Sequence, residues 1–391
     1  MSNTETARSG VDHDSLIRDI QAWNDICDHR TGTAGDRTTD DWLSHAIQTV
    51  GLTATVDPFD FDRLDVHECH IDIASQRIEG VPMFDAGSTG PAPIEGQLGG
   101  DVLCSTFAPF DAHPSTLATH SMRKEGACRA LIAISAGQTP GDQHSVVDGL
   151  ALVNAEAYRA PWGPPVVQVS SEYAEVLRRG ASQHLPVSVL VNTTRSPTTA
   201  NNIGTRIEGR DPAARPIVIM TPKSAWWTCT AERMGGLCVW LALARHFVVS
   251  PPRRSLLFTA NTGHELSHLG LDHFLHSHAD LTAEFWLHLG ANFASRDSEI
   301  RLQASSESYM LALSEHLNRQ GVGSLRQTPV DARPAGEARN IYDLGGQYLS
   351  ILGSNRWFHH PEDRWPDTID LDRTAATVRG LISLIDELAN A

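Results

Sequence analysis

No apolar run in the chain approaches the roughly 20 residues that a membrane-crossing helix requires, so no spanning segment is expected. Basic residues are scarce, 31 Lys and Arg against 47 Asp and Glu, for a formal charge of −16. That deficit argues against nucleic-acid or anionic-membrane partners, both of which need a basic footprint. There are only six cysteines (Cys27, Cys69, Cys104, Cys128, Cys229 and Cys238) and no C-x-x-C pairing, which points to free thiols in a reducing compartment. Met1-Ser2-Asn3-Thr4-Glu5-Thr6 has neither a basic start nor an apolar signal core, so a cytoplasmic location is expected. Internal repeats and low-complexity tracts are absent as well. What is present is ordinary for a globular protein, 41% hydrophobic and 20% charged residues in a chain long enough for two or three domains. The 19 histidines stand out, several of them between His264 and His288, and they raise the prospect of a metal.

The hydrophobic pattern alternates between helical and strand periods. Leu16, Ile17, Ile20, Trp23 and Ile26 share a helical face, and a second helix carries Trp42, Leu43, Ala46, Ile47 and Val50 inward, ending at Gly51. From about Val66 to Val191 short β-like runs take over, at His70–Ile73, Ala130–Ile134, Leu150–Val153, Val166–Val169 and Val187–Val191. Gly- and Pro-rich turns separate them, at Gly87–Gly99, Gly137–Gly141 and Pro161–Pro165, and one helix is expected over Ser171–Arg179. No catalytic constellation falls in this stretch, and it reads as an insertion that shapes access to a site elsewhere. Helix–strand alternation resumes from Thr198, with strands at Ile203–Ile207, Pro216–Met220, Leu256–Phe258, Phe285–Leu289 and Tyr348–Leu352. Helices are expected at Ala231–Phe247, Leu266–Leu275, Tyr309–Leu317 and Leu371–Leu388.

The chemistry concentrates after the strand Leu256–Phe258, where Thr262-Gly263 breaks the run and His264-Glu265-Leu266-Ser267-His268 follows. Ionisable residues just past the carboxyl end of a core strand are where open α/β sheets place their sites. The same letters spell H-E-x-x-H. On that reading His264 and His268 are zinc ligands on one helical face and Glu265 is a base, with His273 or Asp272 as a third ligand. Such motifs lie inside a long helix, whereas here a strand and a turn precede directly. His268 then reads as an ordinary helix residue.

In element order the chain resembles the zinc aminopeptidase family that also contains the glutaminyl cyclases. Arg30-Thr31-Gly32-Thr33-Ala34-Gly35-Asp36 is similar to that family's R-x-x-G-S-x-G-D segment, and Ala231-Glu232-Arg233-Met234-Gly235-Gly236 lies where members carry G-A-x-D-x-x-S-G. Gly263-His264-Glu265-Leu266 takes the place of G-E-E-x-G, and Phe358-His359-His360-Pro361-Glu362-Asp363 that of Y-H-T-x-x-D. The resemblance implies an α/β fold, a zinc exopeptidase-like mixed-sheet sandwich, formed by residues 1–65 and 197–391. It implies that residues 66–196 are an inserted β-rich domain similar to a protease-associated domain. Where members have their H-x-D-S ligands this chain has Thr221-Pro222-Lys223-Ser224, and the later Asp position falls on Gly290 with His288 nearby. Both ligands particular to a second metal are therefore lost.

The resemblance implies one divalent metal, zinc by preference, held by Glu232, Glu265 and His359, with His264 replacing the family's general base and Asp363 orienting His359 from behind. The expected activity is hydrolysis of an amide bond in a small-molecule or short peptide-like substrate, with a homo-oligomer possible. Lys223, Trp226, Trp227 and His288 are candidates for substrate contact, Lys223 toward a carboxylate. Blander alternatives stand beside each. Glu232 is also what the acidic first turn of a helix looks like, and the adjacent tryptophans are also what loop packing looks like. A cyclase-like reaction at one metal, or a binding protein that has lost catalysis, remain the rival functions.

Overall fold

The computed structural model describes residues 13–110, 112–126, 128–138 and 145–391. The Met1–Thr6 stretch and the end of the turn expected at Gly137–Gly141 lie outside them. The chain opens with helices α1 (His13–Asn24) and α2 (Ala34–Thr49), the second capped by the Thr33 hydroxyl, which accepts from the Asp36 amide. Strand β1 (Thr55–Ile73) is long, and β2 (Gln76–Glu79) folds back on its end. Next come β3 (Val81–Pro82), β4 (Ile94–Gln97), β5 (Val102–Phe107), α3 (Pro114–Glu125), β6 (Ala130–Ser135), β7 (Val166–Val169) and α4 (Ala174–Ser182). Strand β8 (Pro186–Ile207) then runs back antiparallel to β1, paired from Thr55↔Gly204 to Ile73↔Val187 with one shift between Val66 and Glu68. The expected boundaries at 65/66 and 196/197 fall in the middle of this continuous ribbon, where Leu64 lies opposite Arg195.

The rest of the chain supplies β9 (Ile217–Pro222), α5 (Thr230–Val249), β10 (Leu256–Asn261), α6 (Leu269–Ser277), β11 (Trp286–Leu289) and β12 (Ile300–Ala304). It closes with α7 (Glu307–Arg319), β13 (Leu325–Gln327), α8 (Ala338–Asp343), β14 (Tyr348–Gly353) and α9 (Leu371–Asn390). Among the described residues the strands form two sheets. One is mixed and ten-stranded, in the order β13-β12-β14-β11-β9-β10-β8-β1-β2 with β4 added to β8; the other is β3-β7-β6-β5. The four-stranded sheet lies within 66–196 and has its own core around Ile132, Ile134, Val167 and Leu177. Strands β10, β9, β11 and β14 are parallel neighbours, each buried on both faces, which is why they read as unbroken apolar runs.

Helix α5 is apolar all round and buried against the sheet, α1 and α9, as a helix without a polar face must be. No helix among the described residues is long and apolar enough to cross a membrane. Two expectations need correction. Leu150–Val153 lies in no strand; it is a buried connection. Helix α6 starts at Leu269 rather than Leu266, because Ser267 (φ 62°) and His268 (φ 57°) adopt left-handed backbone that no α-helix continues through. Helix α3 went unread, since its buried face carries Thr116, Thr119 and Arg123 and shows no apolar stripe.

Candidate metal centre

The loops after β9, β10 and β11 leave the carboxyl ends of neighbouring parallel strands, and the first turn of α5 meets them there. Glu232 sits in that first turn, fully buried. His264 follows β10 in a single 3-10 turn whose entry, Gly263, has φ 80°. The Cβ of any other residue at 263 would stand 2.7 Å from the Leu269 Cβ, so this tight turn needs glycine. His359 comes from the turn after β14 and is itself left-handed, at φ 57°.

These three side chains converge: one ligand atom from each of Glu232, His264 and His359 lies within 4.8 Å of the others. The His359 Nε2 is 3.4 Å from Glu232 Oε1. Each imidazole is oriented from behind. His264 Nδ1 donates to Glu337 Oε1 at 2.6 Å, and His359 Nδ1 donates to the Leu152 carbonyl at 2.6 Å. A proton fixed on Nδ1 leaves the Nε2 lone pair to act, the arrangement by which second groups orient metal-binding histidines. Both oxygens of Glu232 and the Nε2 of His359 are buried without a hydrogen-bond partner. Glu232 Oε1 has ion contacts, to Arg233 Nη2 (2.6 Å) and His359 Nε2 (3.4 Å), but no aligned hydrogen bond, and a divalent ion among two imidazoles and a carboxylate would complete the pairing of these buried atoms. The residues present fit one such ion.

The electrostatics favour the ligand forms. Burial, helped by Arg233 and opposed by Glu337, pushes His264 down to about 4, so it is neutral near pH 7. Burial alone would raise Glu232, but Arg233, with His359 and His264, holds it down to about 2. The Arg233 guanidinium is buried too, its Nη2 2.6 Å from Glu232 Oε1 and its Nε donating to the Ser224 carbonyl.

Other expected site residues lie differently. Glu265 does not join the group. One oxygen accepts from the Thr31 amide (2.8 Å) and hydroxyl (2.7 Å), and the other accepts from the Ser224 hydroxyl (2.6 Å), so the carboxylate ties three loops together. Burial raises its pKa, against the pull of those bonds. Lys223 is fully buried between Asp36 (2.7 Å) and Asp40 (2.6 Å), which raise its pKa despite its burial; these two carboxylates, not a substrate, are its ionic partners. Asp363 does not touch His359 by hydrogen bond. It accepts from the amides of Ala231 and Glu232, capping α5, and from the Asn355 side chain. Burial pushes it up to about 6. Trp226 packs edge-on against Phe84 and donates to Asn154, while the Trp227 indole donates to the His359 carbonyl, so it steadies the ligand's backbone. His288 is buried with Nε2 3.0 Å from Glu337 Oε2.

His268 is not isolated. Its ring stacks on His264 with centroids 5.3 Å apart, and its Nδ1 donates to Asn340 Oδ1, whose amide nitrogen in turn donates to Asp272. A second grouping of possible metal-binding atoms joins His264, His268 and Glu337. Sequence reasoning missed Glu337, Arg233 and Asn340. Glu337 and Asn340 stand far along the chain from the H-E-L-S-H stretch with no motif around them. Arg233 was visible inside the quoted motif but carried no expectation.

No family model and no curated protein matches the chain. Solved structures do. A zinc aminopeptidase from Bacillus subtilis aligns at TM-score 0.77 and 16% identity over 97% of this chain and 96% of its own. A peptidase precursor from Shewanella amazonensis aligns at TM-score 0.74 and 14% identity, over 97% and 96%. An aminopeptidase from an Aneurinibacillus strain aligns at TM-score 0.70 and 13% identity, over 98% and 96%. Over nearly its whole length, then, the chain resembles the zinc aminopeptidases and has their α/β exopeptidase fold.

Proposed function

We propose that this protein is a cytoplasmic, single-metal hydrolase of an amide bond in a small or short peptide-like substrate, with zinc held by Glu232, His264 and His359. The observation that carries this is the convergence of two Nδ1-anchored imidazoles on a buried carboxylate that has the Arg233 ion contact but no aligned hydrogen bond. A divalent ion in that donor set supplies Lewis acidity toward a carbonyl and makes a water easier to deprotonate. Every other task falls to the chain's own residues. Glu337 and the Leu152 carbonyl hold the two imidazoles in the ligand tautomer. His264, expected from the sequence to be the base, is better placed as a ligand, and the proton-accepting role passes to His268. Asn340 and Asp272 keep the His268 proton on Nδ1, leaving Nε2 to take one up and return it to a leaving amine. Residues 66–196 form a wall beside this centre. A groove of about 510 Å³ between them and α6 is lined among others by Phe61, Tyr158, Arg195, Asp272 and His273, but by none of Glu232, His264, His268 and His359.

Elemental analysis tests the centre. Protein purified without chelator should carry about one equivalent of zinc. His264→Ala and His359→Ala should lose it, while Glu265→Gln and His268→Ala should keep it, the last without turnover of aminoacyl or N-acyl amides. Loss of zinc in Glu265→Gln but not in His264→Ala would restore Glu265 as the ligand. The Arg233–Glu232 contact favours a second reading, a metal-free binding protein in which the guanidinium is the carboxylate's only counterion. Protein that neither carries zinc nor acquires it on addition would establish that reading instead.

A further inference from the structure

Arg233 is the one group of the centre that the metal reading leaves unused. It occupies the first turn of α5, where the positive end of the helix dipole disfavours a cation. It is 1% exposed, so its charge is almost wholly desolvated. Its Nε donates to Ser224, yet neither Nη1 nor Nη2 has an aligned hydrogen-bond partner; the 2.6 Å approach of Nη2 to Glu232 is an ion contact rather than a well-directed hydrogen bond. Leaving guanidinium N–H groups unpaired in a dry site costs free energy, which an incoming acceptor would recover. The charge of the centre points the same way. The Glu232 carboxylate is already balanced by Arg233, and imidazole ligands bring no charge. A divalent ion added there keeps much of its positive charge, with Glu337 behind His264 and Asp363 on the Glu232 amide as the neighbouring carboxylates.

We propose that Arg233 is the anion-recognition residue of the centre, binding a carboxylate or other oxyanion of the substrate beside the metal, and so selecting substrates that carry such a group. This takes the place of the role expected for Lys223, which Asp36 and Asp40 fully occupy. It rests on the metal-centre reading and names the substrate class for it.

Acetate titrated into cobalt-loaded protein, followed by the visible spectrum, provides the test. In the wild type acetate should perturb the cobalt bands saturably. In Arg233→Met, with cobalt still bound, acetate affinity should fall by about tenfold or more, the worth of one charge-assisted hydrogen bond. Arg233→Lys, which keeps the charge but not the fork, should fall between the two. Equal acetate affinity in wild type and Arg233→Met overturns the assignment; should that variant fail to fold, Arg233→Lys with wild-type affinity does so. A wild type that takes up no cobalt instead overturns the metal centre itself, and this inference with it.

Discussion

His29 shows how a single buried ionisable group makes the fold pH-sensitive. Its ring lies flat on Trp23, 3.5 Å away, with one nitrogen on Thr39 and the other facing the Trp23 carbonyl. Burial pushes its pKa down from 6.5 to about 3, so the folded protein keeps it neutral while the unfolded chain protonates it below pH 6.5. Its contribution to stability is therefore complete above pH 6.5 and is lost as pH falls toward 3, at roughly 1.4 kcal/mol per pH unit. His29→Gln should flatten that part of the stability profile, measured by urea unfolding between pH 4 and 7. An unchanged slope would mean that other groups set the acid limb. At the same scale, the Lys223–Asp36–Asp40 cluster places a buried ammonium where the family resemblance puts metal ligands. Its two carboxylates hold the helix α2 entry against the end of β9.

Helix α5 is the element on which the centre depends, because it carries both Glu232 and Arg233 and is capped by Asp363. It fits against β9 and β11 through Gly236, and against Phe293 and Ala294 through Gly235. A Cβ at 236 would lie 2.3 Å from Thr221 Oγ1 and 2.9 Å from the Leu289 carbonyl. Gly236→Ala should therefore destabilise the protein by about 1–3 kcal/mol, the usual cost of overpacking, read as a lower urea midpoint. A stabilised variant would show that the helix can shift outward. This helix was legible in the sequence almost to its ends, as were β9, β10, β11 and β14, since a continuous apolar run bounded by turns admits few alternatives. The H-E-L-S-H stretch was not. Two consecutive left-handed residues decide that His264 and His268 stack face to face instead of pointing along one helical face, and neither Ser267 nor His268 announces such backbone. That Glu265, expected beside Glu232 as a ligand, stands apart from the histidines was also hidden. Glu232 and Glu265 are alike by type, and the bonds that Thr31 and Ser224 give to Glu265 separate them.

At the scale of the molecule, the ribbon of β1 and β8 is shared by the ten-stranded sheet and the segment that carries the smaller one. Contacts reinforce the link. The Ala155 amide donates to the Glu265 carbonyl, Val147 to Arg356, and the Tyr158 hydroxyl to Asp62. Arg159 pairs with Asp272 and Arg339 with Glu156. Two parts joined by a continuous strand pair and by buried backbone bonds should melt together. Calorimetry of the full chain should show one cooperative transition, and two resolved transitions would mean that the 66–196 segment unfolds on its own.

The bond from His359 to Leu152 has a hereditary consequence. Its acceptor is a main-chain carbonyl, so a substitution at 152 leaves the oxygen in place as long as the backbone does not move. Gaining or losing a single residue between Leu150 and Ala155 would present a different carbonyl, or none, to the imidazole. The centre is thus tolerant of point changes in that stretch and intolerant of changes in its length, although the stretch itself contains no ligand.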